Sequence, residues 1–311
     1  MQRIESFDIL KGFGISLMIA AHTYGPNSMI WDFIYAFHMP LFFIVSGYFF
    51  KPKAISEVLR SNRNQLLIPY LTMCLIVIFL TQIRQPHNIR SDIENTFCGL
   101  GPGWFMLAMI FARIEFLFIL KLFPHRYISI SLIISTLVCI TAYYNGIPAF
   151  LSFFPSLASL LFFATGYYSK QHKLLEKLDK HPMIFTLVGL CFWLITSIWG
   201  KVELSQCIFK LSIVDFAGSI GGTLIFYKLS QCIEKHKCHL KTIMSYVGRF
   251  SLVILFFHSI SYCVPIWYLI SPYLAPSYLL HAILIIRLLF LAMCVIITLR
   301  TKWLRCFFNI K

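Results

Sequence analysis

Charged residues are scarce in this sequence of 311 residues, because Asp, Glu, Lys and Arg make up only 13% of it while 59% is hydrophobic. A soluble globular domain has about 25% charged residues. One core in a chain of this size cannot bury so much apolar surface, whereas a lipid bilayer accommodates it. The composition therefore excludes an ordinary soluble fold and predicts an all-α polytopic membrane protein.

Acidic residues are the scarcer charged type, since 12 Asp and Glu stand against 27 Lys and Arg and leave a net charge of +15. Such an excess is also typical of nucleic-acid-binding proteins. The nucleic-acid hypothesis fails if the basic residues lie at helix ends on one side of a membrane. Their distribution along the chain therefore decides between a nucleic-acid-binding protein and a membrane protein.

A repeated CxxC pattern is also lacking, although the chain has ten cysteines, most of them inside apolar runs. We therefore expect no metal centre and interpret the cysteines as small buried hydrophobic residues.

Ten segments are long and apolar enough to supply the roughly 20 residues that cross a bilayer as a helix. They are approximately residues 8–24, 33–50, 66–83, 103–121, 127–144, 150–168, 183–200, 213–230, 250–270 and 282–300. The first is the weakest, because its purely apolar run covers only Gly12 to Ala21. Glu5 and Asp8 stand where a signal peptide carries positive charge, so we expect this segment to be retained.

Basic residues are distributed very unevenly around these spans. A cytoplasmic N-terminus makes 1–7, 51–65, 122–126, 169–182, 231–249 and 301–311 the inner segments. With the adjoining helix ends they hold twenty Lys and Arg, against four on the outer side: Arg84, Arg90, Lys201 and Lys210. This positive-inside bias predicts a multi-pass protein of the cytoplasmic (inner) membrane with both termini in the cytoplasm. It also explains the basic charge without nucleic acid.

Ionisable side chains at membrane depth are costly and are therefore functional candidates. They are Asp8, Lys11, His22, His38, Arg113, Glu115, Asp215, His258 and Arg287. Arg113 and Glu115 are two residues apart and face different directions on a helix, so each is expected to find a partner on another helix. The sequence does not identify the partners of Arg113, Glu115, Asp215 or Arg287.

The first span carries Asp8, Lys11 and His22 on one helical face. A rise of about 1.5 Å per residue separates Asp8 from His22 by roughly 21 Å along the axis, so Asp8 cannot orient His22 directly. Asp8 lies at the cytoplasmic mouth, as a donor-entrance residue or as a helix N-terminal anion paired with Lys11 or Arg3. His22 lies near the outer surface, as a catalytic base or as an interfacial histidine.

Further candidates lie at the ends of the second, third and fourth spans. His38 opens the second span at the depth of His22, and Trp104 follows a Gly-Pro-Gly turn at the outer start of the fourth. Trp104 is either part of the aromatic belt or a stacking platform for a sugar ring. Arg60 and Arg63, at the cytoplasmic entrance of the third span, either anchor the helix or bind phosphates.

Taken together, these residues resemble the integral-membrane acyltransferase 3 family, and within it the sugar O-acetyltransferases. The matching segments, in chain order, are Arg3, Asp8-Ile9-Leu10-Lys11-Gly12, His22, Phe37-His38-Met39-Pro40-Leu41-Phe42-Phe43, Ser46-Gly47-Tyr48, Arg63, Leu66-Leu67-Ile68-Pro69-Tyr70, Gly101-Pro102-Gly103-Trp104-Phe105, Phe162-Phe163-Ala164-Thr165-Gly166-Tyr167, Gly248-Arg249-Phe250-Ser251 and His258.

The resemblance implies an acetyl-CoA donor, no permanently bound cofactor, and a hydroxyl acceptor on a sugar or surface polysaccharide. Some members carry an extra extracytoplasmic domain. Because this chain ends at Lys311, just after its tenth span, we expect a single transmembrane domain over residues 1–311.

These observations combine into a mechanistic hypothesis with named roles. Donor phosphates are expected among Arg3, Asp8, Lys11, Arg60 and Arg63. His22 is expected to be the general base and His38 to stabilise the oxyanion, while Trp104, Ser251 and His258 line the acceptor site. The alternatives are a transporter or flippase for a small molecule or lipid-linked sugar, and a non-enzymatic scaffold.

Overall fold

The computed structural model describes residues 4–26, 28–84, 103–144, 146, 152–261, 273 and 276–310. Its helices are α1 (Glu5–Tyr24), α2 (Met29–Tyr35), α3 (His38–Phe49), α4 (Ile55–Asn62), α5 (Ile68–Arg84), α6 (Trp104–Leu122), α7 (His125–Tyr144), α8 (Phe153–Gln171), α9 (Leu174–Leu178), α10 (Pro182–Trp199), α11 (Ile213–Lys235), α12 (His239–Arg249), α13 (Ser251–Ser261), α14 (Pro276–Arg300) and α15 (Lys302–Phe307). The predicted all-α class is confirmed.

Short non-α elements complete the described part. A π-helical turn, Arg63–Leu67, joins α4 to α5, and a 3-10 turn, Leu204–Gln206, lies between two short strands. These strands, β1 (Val202–Glu203) and β2 (Ile208–Phe209), pair antiparallel with Val202 opposite Phe209. They form a small hairpin, called the 202–209 hairpin below. Arg3, Arg90, Gly101 and Pro102 lie outside the described residues.

Several helices have the length and hydropathy of membrane spans. In the described ranges four segments qualify: Met29–Phe49, Ile55–Ile83, Pro182–Trp199 and Tyr278–Arg300. A fifth qualifies if α12 and α13, which meet at an angle of 71°, are taken as one broken span. The chain is therefore a multi-pass membrane protein, while the ten spans and the cytoplasmic termini stay predictions.

The predicted span 33–50 is broken between α2 and α3, and Pro40 explains why. A proline cannot donate to the carbonyl four residues earlier, and its ring clashes with that carbonyl. Here that group is the carbonyl of Ala36, which instead accepts from the Ser219 hydroxyl of α11 at 2.6 Å. The break makes His38 the first residue of α3, as the sequence predicts.

A second proline accounts for the π-helical turn. Pro69 cannot donate to the carbonyl of Gln65, and just before it the amide of Ile68 reaches back five residues to Arg63. Wider turns of this kind interrupt the regular ladder without ending the helix, and they are frequent at functional sites. The turn thus joins the exposed α4 to the apolar α5 without ending the helical segment.

Glycines allow two helix pairs to pack backbone against backbone. A Cβ on Gly166 of α8 would overlap the carbonyl of Ile44 in α3, and one on Gly47 would overlap that of Phe163. Likewise, a Cβ on Gly12 of α1 would overlap the α12 backbone. Small residues at such contacts are typical of helices packed in membranes, where close approach replaces the hydrophobic driving force.

A larger residue at the centre of the interface between α3 and α8 is expected to destabilise the fold strongly. Gly166→Leu is expected to lower the free energy of unfolding by about 1–3 kcal/mol or more, because two backbones must separate. The measurement is the melting temperature and the monodisperse yield of the purified protein in detergent. Val138→Leu is the control, since Val138 is 48% exposed on α7. A Gly166→Leu protein that melts with the wild type would contradict this packing argument.

Candidate active site

The last turn of α1 meets a cluster of imidazole and aromatic rings from other helices. The ring of His22 lies 5.4 Å from that of His258 on α13, 5.5 Å from Trp31 and 5.8 Å from Tyr35 on α2. The Tyr35 hydroxyl is 3.4 Å from Nε2 of His22, and its ring is 4.6 Å from that of His38. The structure thus brings together three histidines that the sequence analysis selected. His22, His38, His258 and Tyr35 are called the histidine cluster below.

The backbone that carries His22 is fixed from α14. The last carbonyls of a helix lack intrahelical donors and need partners. Arg287 Nη1 donates to the carbonyl of His22 at 3.2 Å and to the hydroxyl of Thr23 at 3.1 Å. Gly25, at a φ of 85°, ends the helix and donates its amide to Ala21. The buried guanidinium of Arg287 therefore caps α1 with a charge that suits a helix C-terminus.

Burial and hydrogen bonding distinguish the three histidines. His38 is 1% exposed and His258 is 2% exposed, whereas His22 is only partly buried. Nδ1 of His38 lies 3.0 Å from the carbonyl oxygen of Ile34, which can only accept. Nδ1 therefore carries the proton, and a neutral His38 presents Nε2 as an acceptor. Of the three, His22 has the best access for an incoming group.

The N-terminal end of α1 is held by ion pairs. Asp8 lies 2.9 Å from Lys11 one turn later, and Glu5 lies 3.1 Å from Lys241 of α12. Asp8 is buried, so its pairing matches the helix-end interpretation that the sequence left open. The ion pair and the histidine cluster lie roughly 21 Å apart along α1, which excludes a direct contact between Asp8 and His22.

Arg113 of α6 occupies a site between α3 and α4. Its Nη2 and Nε donate to the Ser46 hydroxyl at 3.2 and 3.4 Å, and its Nη1 donates to Oδ1 of Asn62 at 3.3 Å. Asn62 is buried and in turn donates to the carbonyl of Ile110 at 3.3 Å. No described carboxylate forms an ion pair with this guanidinium. Arg113, Ser46 and Asn62 are called the Arg113 site below.

The predicted phosphate-binding arginines lie next to the Arg113 site. Arg60 and Arg63 are both exposed, one at the end of α4 and the other at the start of the π-helical turn. Nε of Arg63 donates to the side-chain oxygen of Asn64 at 3.0 Å. Nδ2 of Asn309 donates to the Asn64 carbonyl at 3.2 Å, so the segment after α15 holds the turn. These arginines therefore flank Asn62, which places two exposed cations next to the partly buried Arg113.

The two remaining intramembrane carboxylates have structural partners. Oε1 of Glu115 accepts from the Ser156 hydroxyl of α8 at 2.7 Å, so Glu115 and Arg113 do face different helices. Asp215, fully buried at the start of α11, accepts the backbone amides of Leu211 at 2.7 Å and Lys201 at 3.5 Å. Asp215 thereby fixes the two ends of the segment that contains the 202–209 hairpin.

The other predicted acceptor residues, Trp104 and Ser251, have no described ring contact or hydrogen bond with the histidine cluster. Trp104 is the first residue of α6, and its ring lies 6.2 Å from that of Phe105. Ser251 opens α13 directly after the bend at Phe250 and lies roughly 10 Å along that helix from His258. The structure thus brings His258, and not Ser251, to the histidine cluster. The sequence analysis gave no role to Tyr35, a member of the cluster, or to Arg287, which caps the helix that carries His22.

Comparison with known proteins decides the family. The model of the acyltransferase 3 family, described as an acyltransferase domain, matches residues 4–300. The chain belongs to the acyltransferase 3 family. This match confirms the resemblance that the sequence motifs indicate, and it favours an acyltransferase over the transporter and scaffold hypotheses.

One relative shares part of this acyltransferase 3 chain. This relative is nodulation protein NolL of Mesorhizobium japonicum, to which the chain is similar with 29% identity over 152 residues. The match covers 43% of this chain and 40% of the relative, so less than half of NolL is represented. No solved structure matches this chain.

The cap on α1 predicts that Arg287 supports the whole histidine cluster. Arg287→Ala is expected to lower the free energy of unfolding by about 1–3 kcal/mol, because the partly buried carbonyl of His22 and the buried hydroxyl of Thr23 lose their donor. Thermal melting in detergent measures this. Arg300→Ala, at the exposed end of the same helix, is the matched control and is expected to melt close to the wild type. Equal melting temperatures for both variants would show that Arg287 does not hold α1.

Proposed function

We propose that this acyltransferase moves an acetyl group from cytoplasmic acetyl-CoA to a hydroxyl of a sugar, a surface polysaccharide or its precursor. The histidine cluster at one end of α1, with cationic residues toward the other end, is the observation that supports it most. The twenty-to-four distribution of basic residues supports a position in the cytoplasmic membrane with the cationic end inside. A donor and an acceptor on opposite sides of the membrane can then meet within the helices.

The donor site is proposed at the cationic end. The separation of roughly 21 Å along α1 is comparable to an extended pantetheine arm. Lys11, Arg60 and Arg63, with Arg3 outside the described residues, would bind the nucleotide phosphates. Asp8 contributes by holding Lys11, at 2.9 Å. The thioester would then reach the depth of the histidine cluster.

Arg113 extends this donor site into the membrane. Its guanidinium has five N–H donors, and the described contacts with Ser46 and Asn62 use three of them. Because both partners are neutral, the positive charge is not compensated by a described side chain. A diphosphate is an anion that matches two parallel N–H donors of arginine. We therefore assign the diphosphate of the donor to the Arg113 site.

The chemical step is proposed at His22. A neutral imidazole accepts the proton of the acceptor hydroxyl, whose oxygen attacks the thioester carbonyl. The tetrahedral intermediate collapses, the carbon–sulfur bond breaks, and the departing thiolate of CoA takes the proton from His22. No covalent acyl-enzyme is needed. The partial exposure of His22 supports this role over His38 and His258, which are almost fully buried.

The proton position on His38 changes its proposed role. A neutral His38 that donates from Nδ1 to Ile34 has an acceptor at Nε2, and an oxyanion needs a donor. The Tyr35 hydroxyl, which lies 3.4 Å from His22, is the better oxyanion donor. His38 packs against the Tyr35 ring at 4.6 Å and is proposed to position it. His258 and Trp104 are proposed to contact the acceptor, whereas Ser251 lies roughly 10 Å along its helix from His258 and takes no part in the chemical step.

The proposed function is tested by acetyl transfer from labelled acetyl-CoA to host glycans in membranes that contain this chain. His22→Ala is expected to reduce the rate by about 10²–10⁴-fold, the usual contribution of a general base. His281→Ala is the matched control, because His281 is an exposed histidine whose ring lies 5.8 Å from Tyr24 near the same end of α1. A wild-type rate in the His22→Ala protein, at equal protein amount, would rule out the general-base assignment.

The donor assignment is tested by binding. Arg113→Gln is expected to weaken acetyl-CoA about tenfold or more by calorimetry, through loss of a charge-assisted contact. Its affinity for S-acetylpantetheine, which has no diphosphate, is expected to stay unchanged. Lys121→Ala, at the exposed cytoplasmic end of the same helix, is the control. Equal losses for both ligands would mean that Arg113 acts through the fold and does not bind phosphate.

A further inference from the structure

Two cysteines that are far apart in the sequence meet in the fold. Sγ of Cys139, on α7, lies 3.5 Å from Sγ of Cys207, between the two strands of the 202–209 hairpin. Cys139 is 0% exposed and Cys207 is 3% exposed. The sulfur atoms of a disulfide are about 2.05 Å apart, so an approach of about 1.5 Å would join them. We propose that Cys139 and Cys207 form a disulfide that fastens the hairpin to α7.

The hairpin is held so that Cys207 faces α7. Val202 and Leu204 are buried beside it, and Phe209 stacks on Phe216 of α11 with ring centroids 4.3 Å apart. Cys207 has a φ of 60°, in the left-handed region that a residue other than glycine seldom adopts. A conformation of this kind persists only where the surroundings impose it. The backbone conformation at Cys207 is thus imposed by the fold, and its thiol lies against that of Cys139.

The thiol of Cys139 also contacts the start of α8. Its Sγ lies 2.6 Å from the carbonyl oxygen of Phe154 at the start of α8. The disulfide would therefore link α7 and the hairpin at a point where α8 already contacts both. A link between residues 139 and 207 closes a long loop, and this restricts the unfolded chain and stabilises the folded one.

The proposed topology places the pair where oxidation is possible. Lys201 and Lys210 flank the hairpin and belong to the four basic residues of the predicted outer side. Disulfides form and persist in the oxidising extracytoplasmic compartment and are rare in the cytosol. The disulfide rests on this topology, but it does not depend on acetyl transfer or on the role of His22.

Oxidation requires a disulfide-bearing oxidant, either a protein thiol oxidase or oxidised glutathione. The Cys207 thiolate attacks that disulfide, forms a mixed disulfide and releases one thiol. The Cys139 thiolate then attacks Sγ of Cys207, the new bond forms, and the second thiol leaves. Both cysteine protons end on the released thiols, and the two electrons reduce the oxidant. Because both sulfurs are buried in the folded chain, the exchange precedes docking of the hairpin.

The test is made on the whole chain, expressed in a bacterial host with a periplasmic thiol oxidase. Free thiols are blocked in membranes with N-ethylmaleimide, and the digest is analysed by mass spectrometry without reduction. The expected product is a peptide pair joined through Cys139 and Cys207 that disappears after reduction and in an oxidase-deficient host. Alkylation of both cysteines in the competent host, or a link from either one to Cys98 or Cys263, would overturn the proposal.

Cysteine variants and their melting temperatures test the disulfide independently. Cys139→Ser and Cys207→Ser are each expected to abolish the joined peptide and to lower the melting temperature by on the order of 5 °C. Reduction of the wild type is expected to lower it by a similar amount. Cys294→Ser, at a buried cysteine of α14, is the control and is expected to keep the joined peptide. A melting temperature of the wild type that does not respond to reduction would contradict a stabilising disulfide.

Discussion

Backbone carbonyls at membrane depth have no water to bond, so every helix end and every break there needs an internal donor. This constraint shapes the site. The break before α3 leaves carbonyls that accept from Trp193 and Ser219, at 3.0 and 2.6 Å. The end of α1 leaves the carbonyl of His22, which accepts from Arg287. Side chains of α10, α11 and α14 thereby fix the two points from which His22 and His38 project.

The same constraint separates structural polar groups from reactive ones. Asp215 is an ionisable residue at membrane depth, yet it accepts two backbone amides around the hairpin. Arg287 likewise serves a helix terminus. His22 differs because its backbone is fixed while its ring stays partly exposed among other polar rings. Arg113 differs because its described partners are neutral hydroxyl and amide groups, which leave its charge available for an anion.

The sequence predicts the fold class and selects His22, His38 and His258, which the structure brings together. The contacts that it misses are missed for physical reasons. Helical spacing and the charge distribution separate Asp8 from His22, and Pro40 contains the signal for the break in the second span. Cross-helix partners carry no such local signal, because the contact between Arg113 and Asn62 joins positions 51 residues apart. The cysteines show the same limit. An apolar setting predicts buried thiols, and only the fold shows that Cys139 faces Cys207.

The distance between the two ends of α1 is the feature that the proposed mechanism depends on. Gly12 and Gly248 bring the backbones of α1 and α12 into close contact. The ion pair between Glu5 and Lys241 fastens the same two helices at one end, while Arg287 fastens the other. Because Asp8 and His22 lie on one continuous helix, its rise per residue sets the roughly 21 Å between the cationic end and His22. A rigid separation suits a flexible donor arm, because only the thioester has to move to reach a fixed base.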